Sequence, residues 1–272
     1  MVQGELVMSF APLKYNYKLS VCLPAHRTHL WERLYRSIKS SVGEKYTWEL
    51  ILVGPNNPPP YFADKRNFKF LRDYGTPARC FQISTLLAEG ELITWASDDG
   101  FYIENGLEQC IEMSDQIREQ DIVIARHVEG QNHSGKAESL DFWKAWHHPT
   151  MRLPGIPEEY FCIMNGIMKT SYFRELGGID CRYENYNMNL HDLAFRAQRN
   201  GSTMHFSEET VLNCDWNPNM GDHVPITEAH RDHDLPLFTQ EMSKDQTNRI
   251  KIDLFNWTQQ PPIWRRRFGN IE

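Results

Sequence analysis

The sequence predicts an α/β fold, a mostly parallel, Rossmann-like sheet flanked by helices and followed by a C-terminal extension. Three observations carry this reading. Short apolar runs of strand length alternate with segments of helical periodicity through the first half of the chain. Two of those runs are continuous, as suits strands covered on both faces. Repeated strand–helix alternation calls for crossover connections, and so for parallel pairing.

The elements follow in order. Leu19-Ser20-Val21-Cys22-Leu23 alternates and stops at Pro24, a strand signature. Leu30, Trp31, Leu34, Tyr35, Ile38 and Val42 fall at helical spacing, and Gly43 ends that helix. Trp48 to Val53 reads as a buried strand, and Gly54-Pro55-Asn56-Asn57-Pro58-Pro59-Pro60 as a loop. Phe68 to Leu71 is a brief strand, and Pro77 opens a helix reaching about Ala88. Glu91 to Ala96 is a second buried strand, ending at Ser97-Asp98-Asp99-Gly100. A helix follows with Leu107, Cys110, Ile111 and Ile117 on one face, then a strand from Asp121 to Val128.

From Glu129 to about Glu159 the pattern lapses into polar sequence with aromatic islands, Trp143 and Trp146 among them. A loop of that length in a compact domain is usually functional or mobile. Beyond it come a strand (Tyr160 to Met164), a short helix (Thr170 to Leu176), a Gly177-Gly178 turn and a helix from about Leu190 to Asn200. The region past Pro225, rich in Asp, His and Pro, reads as an extension without a core of its own. These shifts divide the chain into an arm (1–17), an α/β half (18–128), a second half (129–222) and a C-terminal extension (223–272).

The chain has 272 residues, 40% hydrophobic and 24% charged, which allows a large core. A formal net charge of −7 gives no general attraction to nucleic acid. The local exception is Arg265-Arg266-Arg267, either a solvated tail or a contact for a phosphate or lipid headgroup. The six cysteines form no C-x-x-C pair and read as reduced thiols. The opening MVQGELVMSFAPLKYNYK lacks the basic start and sustained apolar stretch of a signal peptide, and no run reaches the length of a membrane span. The expected setting is the cytoplasm, with peripheral membrane contact as the alternative.

Asp98 and Asp99 stand at the end of a buried strand, where parallel sheets bind ligands. Adjacent carboxylates repel each other and stay ionised most easily with a cation between them and a ligand. Mg²⁺ and Mn²⁺ take oxygen ligands and bridge carboxylates to substrate phosphates. Gly100 leaves room for a bulky group. The plain alternative is a solvated acid pair ahead of a helix, favoured by its dipole.

Several stretches, in order, resemble family 2 glycosyltransferases of the GT-A fold across roughly residues 18–216. These are KLSVCLPAHR, WELILVG, GTPARCFQISTLLAEGELITWASDDG, NGIMKTSYFRELGGID and HDLAFRAQRNG. The resemblance implies a glycosyltransferase, moving a sugar with inversion from a nucleotide-diphosphate sugar, UDP-linked in preference, to an acceptor hydroxyl on a glycan, a lipid-linked glycan or another molecule. It implies that Pro24, Ala25, His26, Arg27, Asn56, Arg79 and Asp98 bind the nucleotide-sugar. Asp99 would ligate Mn²⁺ or Mg²⁺, with His223 completing the metal shell. Asn165, Gly166 and Trp146 would line the acceptor side, and Asp192 would be the catalytic base, with Asp180 and Glu184 next in order.

Two features depart from the family pattern. Gly54-Pro55-Asn56 stands where the second strand normally ends in a base-reading aspartate, and Ala96 stands in place of the leading acid of the metal motif. Asp192 also has a structural reading, as an acid in a first helical turn that pairs with Arg196 at i,i+4. A non-catalytic nucleotide-sugar or glycan-binding protein of the same fold is therefore the alternative. A sugar nucleotidyltransferase ranks lower, because PAHRTH lacks a Gly-rich loop.

Overall fold

The computed structural model describes residues 15–129, 150–151, 160–214, 223–243 and 249–268. Its centre is an eight-stranded sheet in the order β3-β2-β1-β4-β9-β6-β10-β5. The left half follows the sequence reading. β1 (Tyr17–Pro24) lies between β2 (Trp48–Gly54) and β4 (Gly90–Trp95), and β3 (Phe68–Arg72) forms the edge, all in parallel. α1 (Trp31–Val42) and α2 (Pro77–Leu86) make the crossovers. Thr76 caps α2 by accepting the Arg79 amide at 3.1 Å, and Pro77 opens it at no cost in hydrogen bonds.

The right half differs from expectation. The strand predicted at Tyr160 to Met164 is only the two-residue β8 (Tyr160–Phe161), paired with β7 (Thr150–Met151) outside the main sheet. The sheet strand is instead β9 (Gly166–Lys169), antiparallel to both β4 and β6 (Ile122–Glu129). Four residues are too few to show a period, and Gly166 hides the strand further. It is needed because a Cβ there would lie 2.8 Å from the Ile163 side chain.

β10 (Met204–Cys214) has no counterpart in the sequence reading, although it pairs with β6 along most of its length. Its register shifts between Phe206 and Leu212, so polar Ser207-Glu208-Glu209 interrupts the alternation. β5 (Gly100–Tyr102) pairs antiparallel with its end. α3 (Gly106–Ser114) stops before Ile117. α4 (Thr170–Glu175) and α5 (Tyr186–Arg199) match the two later helices, α5 starting a turn earlier than predicted.

Successive residues of β1 feed opposite faces, as strand geometry requires. Leu19, Val21 and Leu23 join Trp31, Leu34 and Ile38 on one side, and Cys22 joins Phe81, Trp95 and Phe173 on the other. The extension docks on the second core. α6 (Val224–Ala229), a π-helical turn (His230–Asp234) and α7 (Leu235–Ser243) bring in buried Ala229, Phe238 and Met242. Further on, the Trp264 amide donates to the Tyr74 carbonyl at 2.7 Å ahead of α8 (Arg265–Phe268). All six cysteines are free. No helix among the described residues is long and apolar enough to cross a membrane.

One buried group makes the fold acid-sensitive. His191 on α5 packs with its Nδ1 3.1 Å from the Cys162 Sγ. Burial, with a smaller contribution from His230, pushes its pKa down to about 4. Because the unfolded imidazole takes its proton near pH 6.5, stability is full above that value and falls as the pH drops toward 4, by about 3 kcal/mol in all. Urea unfolding across that range is expected to show this loss, and His191→Gln is expected to flatten the profile.

Candidate functional site

The carboxyl ends of β1 and β4 lie side by side, with Cys22 opposite Trp95. Each strand then turns, β1 into Ala25-His26-Arg27 and β4 into Ser97-Asp98-Asp99. Asp98 joins the two turns. Its Oδ2 accepts the amides of His26 and Arg27, each at 2.7 Å, and the Trp31 indole N–H at 3.4 Å. The Arg27 guanidinium lies against both acids, with Nη1 3.2 Å from Asp98 Oδ1 and 2.6 Å from Asp99 Oδ2. Arg33 donates to the Asp99 carbonyl at 2.6 Å. The cation that relieves the repulsion between the carboxylates here is thus Arg27.

The two acids differ electrostatically. Burial pushes Asp98 up, but the Arg27 guanidinium, His26 and the two amides prevail and hold its carboxyl below the ordinary range. Asp99 is held above that range by burial, helped by the Asp98 charge and only partly opposed by Arg27. Its Oδ1 is buried without a hydrogen-bond partner. An orphaned oxygen on a buried carboxylate suits a cation, because ionisation then gains the ligand it lacks. Among the described residues no three His, Cys, Asp or Glu side chains form a ready metal cage. Asp99 therefore fits an ion that takes most of its ligands from phosphates and water, as Mg²⁺ commonly does.

A cavity of about 220 Å³ opens over this pair. Of the residues predicted to bind the donor, metal or acceptor, Pro24, His26, Arg27, Asp98, Asp99, His223 and Asn165 line it. His223 immediately precedes α6, which carries it over the strand ends from the extension.

Other predicted residues lie elsewhere. Ala25 is buried in the core below the loop. Asn56 supports the site from outside, donating from Nδ2 to the His26 carbonyl at 2.7 Å. Gly54, at the end of β2, leaves no room for a side chain, since a Cβ there would meet the Ala25 carbonyl oxygen at 1.8 Å. Gly166 packs inside the sheet, and Trp146 lies outside the described residues. Arg79 points away from the cavity and forms a fork with Asp73 at 2.9–3.1 Å.

Asp192 is not at the cavity. It is fully buried on α5, accepting from Arg196 Nε at 2.8 Å and Arg249 Nη1 at 3.1 Å. Asp180 belongs to the same network, paired with Arg182 and Arg249, and Glu184 is paired with Arg266. The predicted catalytic base thus sits in a buried ion network and not in the cavity wall, and its i,i+4 partner is the Arg196 that the structural reading named. A carboxylate held by two arginines and closed to solvent lies out of reach of an acceptor hydroxyl in the cavity. Sequence reasoning missed His127, Asn185 and Asn187, which line the cavity from the end of β6 and the start of α5. No family pattern pointed to them, but a polar residue at a strand's carboxyl end or a helix's first turn is the kind of signal that could have.

No protein-family model matches the chain, and no curated protein does. Solved structures do. S. aureus TarS residues 1–349, in complex with UDP, aligns with a TM-score of 0.54 at 17% identity, over 89% of this chain and 77% of that one. A further structure of TarS 1–349 gives 0.55 over 85% and 73%. The longer TarS structure gives 0.52 over 85% of this chain but only 44% of its own length. The chain therefore has the mixed α/β fold of the GT-A type, a curled eight-stranded sheet flanked by helices.

Proposed function

We propose that the chain is a glycosyltransferase. It takes a sugar from a nucleotide-diphosphate donor, UDP-linked in preference, to a hydroxyl acceptor on a glycan or lipid-linked glycan, with inversion. The observation that carries this reading is the Asp98–Asp99 pair. Asp98 locks the β1 loop with a depressed carboxyl, while Asp99 presents an orphaned, elevated one to a cavity at the strand ends. The UDP complex of the structurally similar TarS supports the choice of nucleotide.

Asp99 is the residue that would hold Mn²⁺ or Mg²⁺, with His223, which lines the same cavity, as a second ligand. Bound there, the ion supplies positive charge to the departing diphosphate. His26 and Arg27, fixed by Asp98, orient the nucleotide. Since Asp192 is buried, the acceptor's proton must go to a group in the cavity. Imidazoles suit that task near neutral pH, and His127 lines the cavity. The second reading, a non-catalytic nucleotide-sugar-binding protein, draws on the same burial of Asp192.

Release of UDP from UDP-sugars in the presence of Mn²⁺ decides between them. Turnover is expected for the wild type and its loss for Asp99→Ala. Tight UDP binding without turnover of any donor would favour the binding protein.

A further inference from the structure

We propose that Arg267, delivered by the C-terminal extension, is the cation that grips the donor diphosphate, an assignment that rests on the donor reading above. The resemblance places Arg79 beside the nucleotide, but here that side chain has other partners. Its Nη1 donates to the carbonyls of Trp257 at 2.7 Å and Gln260 at 2.9 Å, and its guanidinium lies 4.9 Å from the Trp257 ring. With Asp73 occupying the rest of the fork, Arg79 serves to tie the extension to the sheet.

The tie continues downstream. Ile263 forms a parallel bridge with Tyr74, and Trp264 is buried. These contacts fix α8, whose three arginines diverge. Arg265 is exposed, Arg266 pairs with Glu184 at 2.5 Å, and Arg267 lines the cavity together with Arg27, Asp98 and Asp99. Asp98 and Asp99 set two carboxylates against the single guanidinium of Arg27. A diphosphate entering beside them adds further negative charge, and Arg267, lining the same cavity, offers it a cation from the protein itself. Its planar fork suits two phosphate oxygens at once. Arg79 of α2 is thus an anchor, and the extension it anchors supplies the phosphate contact in its place.

Calorimetric titration tests this with UDP and uridine, Mn²⁺ present, on the wild type, Arg267→Gln and Arg265→Gln. The expected result is UDP affinity weakened about tenfold to a hundredfold in Arg267→Gln. Uridine affinity is expected to stay unchanged in all three proteins, and UDP affinity unchanged in Arg265→Gln. UDP affinity within about twofold of wild type in Arg267→Gln overturns the assignment alone. Loss of uridine and UDP together in that variant also overturns it, since the cavity rather than a phosphate contact has then failed. A wild type that ignores UDP overturns the donor reading and this inference with it.

Discussion

Asp192→Asn is expected to lower the free energy of unfolding by about 3–5 kcal/mol, the usual effect of removing one partner from a buried ion pair. Turnover per folded molecule is expected to persist. Asp192 is fully buried and Arg196 is 1% exposed, so neither side chain has water to fall back on. Arg196 uses Nη1 and Nη2 on the carbonyls of Leu176 and Gly178, at 2.7 and 2.6 Å, and gives Nε to Asp192. Those carbonyls flank the Gly177-Gly178 turn, where both glycines hold positive φ (85° and 69°). Removing the charge leaves the Arg196 guanidinium buried without its carboxylate and frees Arg249 from one of its acids. Urea unfolding gives the stability, and initial rates corrected for folded fraction give the activity. A thousandfold drop in rate at unchanged stability would restore Asp192 as the base.

The second large effect is at Asp99, where the expectation is reversed. Asp99→Ala is expected to reduce turnover by roughly 10²–10³, the typical loss when one preorganised electrostatic group is removed from an active site. The fold should become slightly more stable near neutral pH. The sign follows from the elevated carboxyl: the native state holds its proton more tightly than the unfolded chain, so ionised Asp99 detracts from stability above its native pKa. Asp98 has the opposite sign. Its depressed carboxyl stabilises the fold above the unfolded value and loses that contribution as the pH falls through the native one. Removing it should loosen the His26–Arg27 loop. Stability given up at one residue and needed for turnover marks a functional position. Asp99→Ala with full activity would remove the metal from the account.

The sequence made the left half of the sheet legible because β1, β2 and β4 are buried on both faces and punctuated by Pro24, Gly54 and the Asp98-Asp99 turn. It hid β9, too short for a period, and β10, whose register shift breaks its alternation. Within the site, the β1 loop and the aspartate pair could be read because adjacent chain segments place them. Asp192 and Arg79 lie off the cavity although both stand in family-like motifs, and partners that hold them there, Arg249 and the Trp257 and Gln260 carbonyls, come from the extension. Pairings across such sequence separations leave no local pattern. Arg267 was visible as part of a basic cluster, but its place in the cavity follows from contacts such as the Tyr74–Ile263 bridge, far apart in sequence.

The most direct test of the central claim, a nucleotide-diphosphate site over Asp98 and Asp99, is thermal melting with nucleotides, with and without Mn²⁺. The account predicts that UDP raises the melting temperature, that Mn²⁺ enlarges the rise, and that Asp99→Ala abolishes the Mn²⁺ increment. A melting temperature unmoved by any nucleoside diphosphate, with or without the metal, would contradict it.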